Sequence, residues 1–145
     1  MKIVLQRVKH SSVRVNGEMV GSIQKGMMIL LGVHKDDTID NAAFLAAKCA
    51  DLRIFSDSEG KMNLSLGDVN GEALVISQFT LLGNCTKGRR PSYIEAAGPG
   101  LGKEIYDCFV AELKKHVPVV ATGIFGAMMD VELVNDGPVT LILEK

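Results

Sequence analysis

Two short segments carry polar residues where folding alone would place apolar ones. Ser77-Gln78-Phe79-Thr80-Leu81 sets Ser, Gln and Thr at the end of the apolar run Ala73-Leu74-Val75-Ile76. Asn135-Asp136-Gly137-Pro138-Val139-Thr140 inserts a Gly-Pro step between two strand-like patterns. Lys87, Arg89 and Arg90 cluster in the polar stretch 83–91, either as phosphate contacts or as a solvated loop. The usual catalytic hardware is sparse. The three histidines, His10, His34 and His116, are far apart, and none has a ligand partner at i+2 or i+4. Neither H-E-x-x-H nor C-x-x-C occurs, so no metal is expected. Cys49 and Cys108 sit beside apolar residues and read as buried structural thiols. Cys85 lies in the polar loop and is the one candidate reactive thiol, without a neighbouring base in sequence. Gly98-Pro99-Gly100-Leu101-Gly102 lacks the Lys and Ser/Thr of a nucleotide loop and reads as a loop opening a helix. The acidic pairs Asp36-Asp37, Asp57-Glu59 and Asp130-Glu132 fit turns and solvent faces. An enzyme made from this chain would use neither metal, cofactor nor triad.

Composition narrows the setting. At 145 residues, with 47% hydrophobic and 23% charged side chains, the chain suits one globular domain. Sixteen Lys and Arg against seventeen Asp and Glu give a net charge of -1, which excludes binding nucleic acid or membrane through bulk charge. A local basic patch remains compatible with that balance. No apolar stretch approaches the ~20 residues of a membrane helix, and the N-terminal residues are interrupted too soon for a signal peptide. Three widely spaced cysteines fit a reducing compartment. A cytoplasmic protein is expected.

The elements that must position these residues follow from periodicity. Strand patterns span 2–9 and 12–15, and Asn16-Gly17 marks a tight hairpin returning over 20–24. The apolar run 27–33 reads as a strand buried on both faces. Thr38 caps a helix to about Ala50, followed by a strand at 52–55 and a turn at 57–60. A second tight turn, Asn70-Gly71, precedes the strand 73–77. Leu101, Ile105, Cys108, Phe109 and Leu113 recur at helical spacing, to an end near His116. Two last strands, 129–133 and 139–143, flank Asn135-Asp136-Gly137-Pro138. About eight strands and two main helices make an α+β fold, a curled, mainly antiparallel sheet with the helices packed outside. Exposed strand edges make a dimer a reasonable expectation.

With Gln6-Arg7-Val8, Leu31-Gly32-Val33-His34, the stretch 60–65 and Lys87-Gly88-Arg89-Arg90-Pro91-Ser92, the two polar segments resemble the D-aminoacyl-tRNA deacylase family. These are the enzymes formerly called D-tyrosyl-tRNA deacylases. The resemblance runs the whole chain, without departure at either signature segment. It implies a homodimer with the active site at the subunit interface, where Ser77, Gln78, Phe79 and Thr80 of one chain face Gly137 and Pro138 of the other. It implies hydrolysis of the ester joining a D-amino acid, or mischarged glycine, to tRNA, with L-aminoacyl-tRNA spared. It further implies a cis Gly137-Pro138 bond whose successive carbonyls wall the space around the substrate α-carbon. An L side chain would strike that wall, whereas glycine has nothing to strike.

An aminoacyl ester is already activated, so stabilising an oxyanion and placing a water can suffice for hydrolysis. The amides of Phe79 and Thr80 are the expected oxyanion hole, with the tRNA 2′-hydroxyl helping to activate water. Thr80 as covalent nucleophile is the alternative. Arg7 reads either as a fork holding the wall carbonyls or as a surface charge. Two other classes compete with the enzyme. An RNA-binding module would need more aromatic stacking residues than two Tyr, five Phe and no Trp. A purely structural dimer leaves the polar end of the 77–80 segment unexplained.

Overall fold

The computed structural model describes every residue from Met1 to Lys145. Strand β1 (Lys2–Val15) turns through Asn16 and Gly17, at φ 51° and 82°, into β2 (Glu18–Ile23). Positive φ at both positions is the requirement of a tight hairpin whose twist matches its strands. β3 (Gly26–Gly32) leads to helix α1 (Ile39–Asp51), then a small hairpin, β4 (Phe55–Ser56) and β5 (Met62–Leu64). β6 (Glu72–Ser77) ends in a 3-10 turn (Phe79–Leu82). Helix α2 (Pro99–Leu113), β7 (Val120–Thr122) and β8 (Asp130–Glu144) complete the chain.

β1 organises the sheet. Its full length pairs with β8 on one side, while the other side carries β3 along its first half and β2 along its second. These pairings are antiparallel, as expected. The sheet as a whole is mixed, because β3 pairs β6 and β6 pairs β7 in parallel. Parallel neighbours need a crossover, and each helix supplies one. The curl brings β7 back toward β2, where a side chain on Gly21 would meet the Thr122 carbonyl oxygen at 2.6 Å.

Alternation sorts the core into two layers. Ile3, Leu5, Met27, Ile29, Leu31 and Val75 pack outward against Leu45 of α1 and Phe109 of α2. Val8, Val13, Ile23, Met28, Leu74 and Ile76 fill the inside of the curl. β3 and β6 are therefore buried on both faces, as the run 27–33 predicts. The buried face of α2 is Gly102, Ile105, Tyr106, Phe109, Val110 and Leu113, with the Tyr106 hydroxyl donating to the Val75 carbonyl at 2.8 Å. Leu101, expected on that face, is exposed, and Cys108 is half-buried.

The strand boundaries differ from expectation in an instructive way. The patterns 2–9 and 12–15 are one strand, and so are 129–133 and 139–143. In each case alternation breaks inside a strand at a bulge, rather than at a strand end. The strand expected at 52–55 starts only at Phe55. Leu52 caps α1, and the Ile54 carbonyl is taken by a side chain from β1. The short strands β5 and β7 have too few residues for alternation to reveal them.

Gly26 stands where β3 meets Glu72 of β6, and a β-carbon there would collide with the Glu72 backbone carbonyl. Gly26→Ala is expected to lower the unfolding free energy by about 3 kcal/mol or more, as overpacking that only backbone movement can relieve. Urea unfolding followed by circular dichroism measures it.

Candidate active site

The first half of the site grows out of β6. Ser77 pairs with Leu31, and the Gln78 amide continues the ladder to the Leu31 carbonyl at 2.8 Å. The chain then tightens, with the Leu81 amide donating to the Gln78 carbonyl at 3.2 Å and the Gly83 amide to Thr80 at 3.0 Å. Gly32 makes room, since a β-carbon there would press on the Gln78 carbonyl oxygen at 2.9 Å. Phe79 and Thr80 therefore open a helical turn, where the first amides have no acceptor behind them. Neither of their N–H groups donates to another group of the chain. Both residues are exposed, with Phe79 set edge-on to Tyr93 at 5.1 Å. The Gln78 side-chain amide donates to the Thr80 hydroxyl. The expected strand end is thus a 3-10 turn, which frees two adjacent donors.

The second half lies in β8. Gln6 of β1 faces Thr140 and Val8 faces Asn135, so Arg7 alone stands opposite Asp136, Gly137, Pro138 and Val139. The Gly137-Pro138 bond is cis, and Gly137 has φ 130°, a region L side chains rarely adopt. Arg7 is only 9% exposed. Its Nε donates to the Asp136 carbonyl at 3.1 Å and pairs with the Asp136 carboxylate at 3.1 Å. Its Nη1 donates to the Ile54 carbonyl at 2.5 Å. Arg7 is not a surface charge, and it holds the residue before the Gly-Pro step rather than the step's own carbonyls. Asn135 reaches across to the other flank, its Nδ2 donating to the Val139 carbonyl at 3.1 Å. Asn135 and Asp136 stand inside the motif noticed in the sequence, but only the register of β8 against β1 reveals their work.

No hydrogen bond or ion pair links the 77–80 segment to Gly137 or Pro138 within one chain. Lys87, Arg89 and Arg90 project from the loop after the 3-10 turn, exposed and paired with no carboxylate. That loop is tied at its neck by Asn84 and Ser92, which exchange backbone bonds at 2.8 and 3.0 Å, and Gly88 takes φ 71° at its tip. Its return is fastened to the segment just after β3 through His34 Nε2 and Glu95 Oε2 at 3.1 Å, and through Lys35 and Glu95 at 3.1 Å. Lys35 first, then His34, hold the Glu95 carboxyl below the usual carboxylate range. A cleft of about 660 Å³ lies between this clasp and the turn, bordered by His34, Leu81, Leu82 and Glu95.

No group of three or more His, Cys, Asp or Glu converges as a metal site would require. Burial pushes the Cys49 thiol up to about 12 and raises Cys108 too, which keeps both protonated and unreactive. Cys85 is exposed in the basic loop. The chemistry this surface offers is hydrogen-bond donation by backbone, bordered by cations.

Residues 4–144 match the model of the D-Tyr-tRNA(Tyr) deacylase family. A D-aminoacyl-tRNA deacylase of Fervidobacterium nodosum is 56% identical, over 100% of this chain and 97% of its own length. One from a Geobacillus species is 57% identical, over 100% of this chain and 95% of its own. Among solved structures, the c-Myc DNA unwinding element binding protein superposes with a TM-score of 0.94 at 38% identity, over 100% of this chain and 99% of that one. Two polar segments, their order and a match spanning nearly every residue agree: the chain belongs to the D-aminoacyl-tRNA deacylase family.

Proposed function

We propose that residues 1–145 form one D-aminoacyl-tRNA deacylase domain that hydrolyses the ester between a D-amino acid and tRNA, a chiral proofreading step in translation. The observation that carries this reading is the pair of unengaged amides at Phe79 and Thr80, on an exposed turn without a neighbouring base. Donors fixed in this way stabilise the charge that develops on an ester carbonyl oxygen, without reorganising during the reaction. The carbonyl oxygen is bound by the two amides, a water adds to the carbon and gives up a proton, and the ester C–O bond breaks as the ribose oxygen takes that proton. The adjacent 2′-hydroxyl of the tRNA relays that proton. Ser77 and Gln78 hold the turn in place, and Gln78 orients the Thr80 hydroxyl.

The functional unit is a homodimer, with the turn of one subunit facing Gly137 and Pro138 of the other. Two features support this arrangement. β8 leaves its outer edge unpaired along 15 residues, and it exposes Val134 and Ile142. The two halves of the site also have no bond to each other within one chain. The Gly137-Pro138 backbone then forms a wall against an L side chain. A clash of about 4 kcal/mol corresponds to roughly a thousandfold rejection. Glycine escapes such a wall, so glycyl-tRNA is a second substrate. Lys87, Arg89 and Arg90 contact phosphates of the acceptor end. No helix is long and apolar enough to cross a membrane, and the reaction belongs in the cytoplasm, where charged tRNA is consumed.

Matched D- and L-tyrosyl-tRNA test the assignment directly. Ester loss from the D form alone is expected, and rapid loss from the L form would defeat the wall. Thr80→Val should keep turnover within about tenfold, the worth of one hydrogen bond. A folded Thr80→Val dimer with no measurable turnover would instead make the hydroxyl the nucleophile. Neutralising Lys87, Arg89 and Arg90 together should reduce the slope of log affinity against log salt by about 2, at ~0.7 per phosphate for single-stranded ends. The D over L preference should stay as it was; an unchanged slope assigns the loop to structure.

A further inference from the structure

We infer that Asn135 is a positioning residue for chiral selection: its side-chain amide closes the β8 bulge and fixes where the Gly137-Pro138 backbone stands. The inference rests on the reading of that backbone as the wall, and names the group that holds its second flank.

The register creates the need. Four residues of β8, from Asp136 to Val139, bulge out opposite the single residue Arg7. A bulge of this size loses regular ladder bonds, and its backbone carbonyls must find other partners or stay loose. Side chains meet two of them. Arg7 takes the Asp136 carbonyl, immediately before the Gly-Pro step. Asn135 takes the Val139 carbonyl, immediately after it. The step is thus pinned from both sides, by two side chains that meet its neighbours and never its own carbonyls. Those two carbonyls stay clear of side-chain donors, as a wall facing substrate requires.

Asn135 does this at a cost to the fold. Its Oδ1 is the one buried side-chain polar atom in the protein without a hydrogen-bond partner. Burying an amide and leaving half of it unpaired is unfavourable, and a small apolar residue would fill the position more cheaply. The Asn135 amide has a single bond, and that bond spans the Gly-Pro step from residue 135 to residue 139. Its benefit therefore lies in the geometry of the bulge.

The test compares three variants of the full-length protein, assayed on D- and L-tyrosyl-tRNA with melting followed in parallel. Asn135→Ala removes both the bond and the orphaned oxygen. Asn135→Asp keeps the shape, replaces the donor with an acceptor and adds a negative charge. Both should lower the ratio of D to L kcat/KM at least tenfold, mainly by raising L turnover, with little change in melting temperature for Asn135→Ala and a lower one for Asn135→Asp, whose charge faces the Val139 carbonyl. The aspartate variant carries a further signature. Its carboxyl regains an O–H donor when protonated, so its selectivity should recover as the pH falls through its titration and fade as the pH rises. Asn135→Ala should show no such recovery. Gly137→Ala separates the two levels of the inference, since its β-carbon would press on Val139 and on Arg7 Nη2 at 3.1 Å. Lost selectivity in Gly137→Ala with full selectivity in both Asn135 variants overturns the role of Asn135 and leaves the wall standing. Full selectivity in all three overturns the wall as well. Loss of folding in both Asn135 variants would assign the amide to stability and overturn the inference.

Discussion

A buried guanidinium has five donors to satisfy and a charge to neutralise, and the fold around Arg7 is arranged by that demand. The side chain sits where β1, β8 and the segment after α1 converge. It takes the Ile54 carbonyl from one, the Asp136 carbonyl from another, and the Asp136 carboxylate as its counter-ion. The Ile54 carbonyl is thus already engaged just before β4 begins at Phe55. β8 must leave its register to bring Asp136 within reach, and the four-residue bulge against one is the result. One arginine in the first strand thus shapes a segment about 130 residues further on.

The other half of the site depends on topology rather than on charge. α1 and α2 each return the chain in the same direction, so β6 lies between two parallel neighbours and its C-terminal end opens to solvent. The 3-10 turn begins there because Gly32 of β3 lets Gln78 and the two leucines after Thr80 fold down over the sheet. A turn that starts at a strand end must present its first amides outward. The oxyanion donors of the proposed mechanism are therefore a product of sheet order and one glycine. Their position owes nothing to a catalytic side chain.

Much of this was legible in the residues. Hairpin chemistry located Asn16 and Gly17, a threonine cap located α1, helical spacing located α2, and polar residues ending an apolar run drew attention to 77–80. What escaped has one cause in common: interactions that join distant segments leave no local period. The bulge looked like a gap between strands, since alternation stops at a bulge as it does at an end. The parallel pairings were invisible because strand direction is decided by the crossovers, not by the strands. Arg7 could be read as exposed or buried because its partners are backbone carbonyls, and a carbonyl has no letter in the sequence. Asn135 was visible within its motif, but its bond to Val139 follows only from the register.

Rate and selectivity are divided between different kinds of atoms in this arrangement. Backbone amides can lower a barrier without any side chain, so substitution around the turn acts on them only by moving the chain. In the proposed arrangement a backbone wall has no side chain to recognise substrate either, and it would stand on Arg7 and Asn135, which bond its neighbours at Asp136 and Val139. Errors of selectivity should therefore arise from inside the protein, at residues that never meet the substrate. The near-neutral charge fits the same division. On the proposed mechanism a wall and two amides would see only the end of the tRNA, and three cations on one loop would supply the remaining attraction without a basic face.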